Sequence, residues 1–100
     1  MALESYEIPY FGMWADLRKK FLQEEKPEDL TELASENMLV EYLSGIEDKY
    51  SDRFEELVER QTEREGVDEE LKAKNPLEWV GRVNNIRSQV REILTEEICS

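Results

Sequence analysis

The sequence predicts an all-α fold: a small helical bundle with two long antiparallel helices plus shorter helices. Three observations carry that expectation. Apolar residues recur at spacings of three and four along most of the chain, and no segment alternates for long at period two. Glycine and proline are scarce, at four and three residues, as long helices require. The length of 100 residues suits one domain with a modest core. The expected organisation is an extended N-terminal arm over 1–11 and a single helical domain over 12–100.

The arm contains Ser5, Pro9 and the aromatics Tyr6, Tyr10 and Phe11, which suit a segment laid on the helices. The first helix starts near Gly12, with Met13, Trp14, Leu17 and Phe21 as its apolar face. Arg18, Lys19 and Lys20 form a basic cluster near its middle. Lys26-Pro27 ends it, because the residue before proline avoids the helical region. A short helix opens at Pro27 and carries Leu30 and Leu33. Ser35-Glu36-Asn37 is a break, with Asn37 able to cap the next helix.

A long helix runs from Met38 to Glu65. Leu39, Leu43, Ile46, Tyr50, Phe54 and Leu57 make its apolar face, with Val40 and Val58 at the margin. Gly45 lies inside it, so a kink or split at Ser44-Gly45 is an open alternative. Gly66 stops the helix, and Val67 supplies the hydrophobic contact that accompanies such a stop. Asp68 caps a short helix that turns Leu71 inward.

The last helix carries the strongest start signal. Asn75 is an N-cap, Pro76 takes the first helical position, and Glu78 falls where a capping box needs it. Trp79, Val83, Ile86, Val90 and Ile93 form the stripe, widened by Val80, Leu94 and Ile98. Asn84, Arg87 and Arg91 lie along one edge of it. Neither Arg87 nor Arg91 has an acidic residue three or four positions away, so their partners lie elsewhere in the fold or in another molecule. Arg82 lies on the other edge and can pair with Glu78. Trp14 and Trp79 are expected to anchor the core.

The formal net charge is −12, and there is no histidine. Residues 27–66 hold most of it, with four basic and thirteen acidic side chains. Glu41, Asp48, Asp52, Glu55, Glu59 and Glu63 share one side of the long helix, a row of roughly 33 Å at the helical rise. A charge of this sign opposes binding to nucleic acid and to anionic membrane. No apolar run approaches the roughly 20 residues that a membrane span needs, and a lone Cys99 fits a reducing cytoplasm. No catalytic set, cofactor motif or metal-ligand spacing occurs. Carboxylate pairs such as Asp48 with Asp52 are plentiful, but a solvated face is the commoner role for them.

The final third, from Gly66-Val67 through Leu71-Lys72-Ala73, Glu78-Trp79-Val80 and Asn84-Asn85-Ile86-Arg87 to the Glu92-Ile93 and Glu97-Ile98 ending, resembles TnpV, a family of small proteins encoded on bacterial transposons and conjugative elements. The likeness extends more loosely to Gly12-Met13, Leu17-Arg18-Lys19-Lys20-Phe21-Leu22 and Lys26-Pro27. It is weakest over the acidic middle, Glu28 to Glu65. The resemblance implies a mobile-element setting and supplies no catalytic residues.

The leading expectation is therefore a non-enzymatic accessory or regulatory protein of a transposon, acting in the cytoplasm through protein contacts. An element-encoded recombinase or relaxase is the expected partner, and a homodimer is compatible with such amphipathic helices. The interaction site is placed at Arg82, Asn84, Asn85, Arg87 and Arg91. Two alternatives stand beside it. One is a DNA-binding regulator at element ends that uses the basic clusters. The other is an acidic decoy whose long row of carboxylates imitates a nucleic-acid backbone in a basic groove.

Overall fold

The structure, a computed structural model, describes residues 9–100. Among these residues are five α-helices: α1 (Met13–Glu25), α2 (Pro27–Ser35), α3 (Leu39–Arg64), α4 (Glu69–Lys74) and α5 (Pro76–Ile98). No strand occurs among the described residues. The all-α expectation and the positions of all five helices hold. Of the expected N-terminal arm, residues 1–8 lie outside the described part, while Pro9 to Gly12 are non-helical and Phe11 packs against buried residues. α3 is one helix through Gly45, without a split at Ser44-Gly45.

The chain divides into two compact units. The first runs to Ser51 and includes Ile98–Ser100; the second is Asp52–Glu97. In the first unit, Ala15, Leu22, Leu30, Leu39 and Leu43 form the buried cluster, with Phe11, Phe21, Leu33, Ala34 and Tyr42 against it. Trp14 is buried as expected, its ring 6.2 Å from that of Tyr50. The inner face of α1 is turned relative to the expected one. Ala15 and Leu22 are buried, whereas Met13 is exposed. The reason is that the inner edge of α1 includes a charged residue, Arg18, which an apolar count passes over.

Arg18 is half-buried and satisfied by the chain itself. Its Nε donates to the Tyr42 hydroxyl at 3.0 Å, and its Nη1 donates to the carbonyls of Ile98 at 2.6 Å and Ser100 at 3.3 Å. The guanidinium also lies 5.2 Å from the centre of the Phe21 ring. A single side chain thus ties α1 to α3 and to residues 98–100. It also satisfies carbonyls that the end of α5 leaves open.

The start of α1 is capped from a distance. Gly12 makes no side-chain cap, but the Glu47 carboxylate of α3 accepts from the Ala15 amide at 3.0 Å and from the Ser51 hydroxyl at 2.8 Å. Gly12 has φ 146°, and a Cβ placed there would overlap that carboxyl group. Only glycine lets the carboxylate come this close to the first turn.

α2 and α3 end in the same way. Asn37, at φ 58°, follows α2, and the Met38 amide donates back to the Leu33 carbonyl at 2.9 Å. Gly66, at φ 68°, follows α3, and the Val67 amide donates to the Thr62 carbonyl at 2.8 Å. Both are left-handed helix stops of the Schellman type. Gly66 and the buried Val67 match the expectation. Asn37 does not: it closes α2 instead of capping α3, because asparagine serves either place and the left-handed conformation claims it here.

In the second unit, α3 and α5 run antiparallel and are joined by Arg53 to Glu97 at 3.1 Å and Arg87 to Glu55 at 3.7 Å. Phe54, Val58, Val67, Ile86, Val90 and Leu94 are its buried apolar residues. Asp68 caps α4 by accepting from the Leu71 amide at 2.9 Å. No described helix is long and apolar enough to cross a membrane.

Candidate interaction site

α5 carries the residues singled out from the sequence, and its start sets their orientation. The Asn75 side-chain oxygen accepts from the Glu78 amide at 3.2 Å, which is the forward half of a capping box. The return half differs. The Asn75 backbone amide is already used by the Leu71 carbonyl, so the Glu78 carboxylate meets the Asn75 side-chain amide instead, at 3.5 Å. Trp79 is half-buried, with the Lys72 ammonium 4.8 Å from its ring centre.

The buried line of α5 is Ile86, Val90, Leu94 and Ile98. Ile93, expected in the stripe, is 59% exposed, and Val80 is 46% exposed. The expected stripe follows a spacing of about 3.5 residues, whereas a straight helix turns every 3.6, so its later members drift off the inner face. Leu94, expected only to widen the stripe, takes the inner place for that reason.

Of the five expected site residues, three share an edge and two do not. Asn84, Arg87 and Arg91 follow one another along the helix, while Arg82 and Asn85 lie further round it. Arg87 is half-buried, 4.8 Å from the centre of the Phe54 ring and paired with Glu55. Arg91 is exposed and lies 5.9 Å from the same ring centre. Arg82, Asn84 and Asn85 are exposed, and among the described residues Arg82 forms no ion pair. Its expected partner, Glu78, is engaged at the cap.

Apolar residues outside the buried line complete this surface. Leu77 is 85% exposed, and with Val80, Gly81, Asn84, Ser88 and Arg91 it occupies one outward arc of about 100°. No carboxylate falls within this arc. Only the exposure of Leu77 and Val80 reveals the strip; spacing alone draws Val80 toward the core.

The other basic cluster is not a patch. Lys19 and Lys20 both pair with Asp16, at 3.7 and 3.2 Å, while Arg18 turns to the chain's own carbonyls. The carboxylates of the acidic row are each exposed. Among the described residues, no three acidic or cysteine side chains gather as a group able to hold a metal ion. Cys99 is a free, exposed thiol.

No curated protein and no solved structure matches the chain. The family model for "Transposon-encoded protein TnpV" matches residues 2–99, including the acidic middle where the resemblance is weakest. The chain therefore belongs to the TnpV family of transposon-encoded proteins.

Proposed function

We propose that this transposon-encoded chain is a non-enzymatic accessory or regulatory protein of its bacterial element, acting in the cytoplasm by contacting an element-encoded recombinase or relaxase. One observation supports the reading most: the outward strip of α5, with Leu77 and Val80 exposed beside Asn84 and Arg91 and with no carboxylate. In a chain of net charge −12, that strip is where a protein surface can approach α5 without meeting like charge or desolvating an acid. Arg87 supports the strip from its edge by stacking on Phe54.

The test is capture of the tagged chain from cells that hold the element, with and without nuclease. A Leu77→Asp/Val80→Asp variant is run beside it. Both positions are exposed, so the melting temperature of the variant should stay within about 2 °C of the parent, as exposed substitutions of small energetic effect do. The expected result is a recombinase or relaxase that survives nuclease and is lost with the variant. Partners that disappear with nuclease would replace this reading with nucleic-acid association. A partner retained by the variant would remove α5 as the contact.

A further inference from the structure

The first unit contains an open groove of about 350 Å³ beside α2. Leu22, Leu33 and Met38 supply its apolar surface, and Asp29, Glu32 and Glu36 supply its acids. Arg18 and Tyr42 complete the lining, bonded to each other. Leu22 is fully buried, Leu33 is half-buried and Met38 is 47% exposed, so the apolar strip reaches from the core to the surface.

The three carboxylates are exposed and form no ion pair among the described residues. They follow one another along α2 at positions i, i+3 and i+7, where like charges oppose one another. Glu32 and Glu36 also stand at the C-terminal end of α2, which has no basic residue in its last turn. A carboxylate there faces the negative end of the helix dipole. For Glu32 and Glu36 this placement is unfavourable twice over, whereas Asp29 stands in the favourable first turn, and a cation in the groove would relieve both costs. The single guanidinium in the lining forms no ion pair with these acids; its Nε and Nη1 donate to Tyr42, Ile98 and Ser100.

We infer that this groove docks a basic, apolar-bearing segment of a partner protein: a leucine-sized side chain set against Leu22, Leu33 and Met38, flanked by lysines or arginines that meet Asp29, Glu32 and Glu36. Charge selects this occupant. A second copy of the chain carries the same net charge of −12, which opposes its approach to an acidic rim. The inference rests on the reading that the protein acts by protein contacts, and it adds the chemistry of the segment that is recognised.

The experiment is a fluorescence-anisotropy titration of the full chain with a short labelled helical peptide of leucines and lysines. Matched peptides carry serine for leucine or glutamate for lysine. Binding of the leucine–lysine peptide alone is expected. Asp29→Asn/Glu32→Gln/Glu36→Gln should weaken it by at least about tenfold at moderate salt, and Met38→Ser by severalfold. The matched triple variant Asp52→Asn/Glu59→Gln/Glu63→Gln, at residues that do not line the groove, should change affinity by less than about twofold. Equal weakening by both triple variants would show diffuse attraction to an acidic protein and overturn the inference. So would equal binding of the serine peptide, or no binding of the leucine–lysine peptide. If the peptide fails while capture of a recombinase still depends on Leu77 and Val80, the groove assignment falls and the accessory-protein reading survives.

Discussion

Gly12 is the residue whose neighbourhood is least forgiving. Its φ of 146° is a region that side chains rarely enter, and the Glu47 carboxyl group occupies the space a Cβ would need. Gly12→Ala should therefore cost on the order of 2 kcal/mol, combining backbone strain with displacement of the carboxylate. Glu47→Ala alone should cost about 1 kcal/mol, as loss of a helix cap does. The two contacts share one space, so the double variant should be less destabilised than the sum of the singles. Urea melts of the four proteins check this, and strict additivity would show that the carboxylate is not what confines Gly12. Nothing in the local sequence around Gly12 names Glu47, because the two are distant in the chain. Arg18 is hidden for the same reason. Beside Lys19 and Lys20 it reads as one of a basic cluster, and only the fold separates a guanidinium bonded inward from two ammoniums paired with Asp16.

At the scale of the element, helix ends are more legible than helix faces. Pro27, Gly66, Asp68, Asn75 and Pro76 each act through their own backbone or a near neighbour, so local sequence identifies all five. Faces depend on where the neighbouring helix lies, and there periodicity drifts: it passes over Ala15 and Leu22 on α1, and it ranks Ile93 above Leu94 on α5. The site inherits that error. Asn84, Arg87 and Arg91 fall together as the spacing requires, but the exposed Leu77 and Val80 that complete the strip are recognisable only once the inner face is known. Asn37 shows the limit at an end, since asparagine suits both an N-cap and a left-handed stop. The two stops make opposite predictions. Asn37→Gly should be neutral or stabilising by up to about 1 kcal/mol, whereas Gly66→Ala should destabilise by about 1 kcal/mol. Chemical denaturation of each variant tests the pair, and a destabilising Asn37→Gly would indicate that the asparagine side chain contributes more than its backbone conformation.

For the whole molecule, charge is the dominant property. Thirteen basic against twenty-five acidic side chains leave most carboxylates facing solvent and one another. Most of the described ion pairs are exposed, and pairs of that kind contribute little. Repulsion should therefore outweigh pairing. The melting temperature should rise from low ionic strength to about 0.5 M sodium chloride, where the screening length falls to roughly 4 Å. A scan of thermal unfolding against salt checks this, and a falling melting temperature would show that the pairs outweigh the repulsion. This balance is fully legible in the sequence, because net charge needs no fold. The division into two units is not, since it depends on contacts far apart in the chain.

The bond from Arg18 to the Ile98 carbonyl joins residues 80 positions apart, and Ile98–Ser100 belong to the first unit. The ribosome makes this unit's beginning first but residues 98–100 only after all of Asp52–Glu97. The second unit is continuous in sequence and has every residue of its own in hand before the first is complete. The last contact of the first unit therefore waits on residues made after the second unit, against the usual N-to-C order of folding during synthesis. While residues 98–100 remain inside the exit tunnel, Arg18 has no carbonyls to hold, and α1 cannot complete its seat until the nascent chain has emerged far enough for those three residues to return to it.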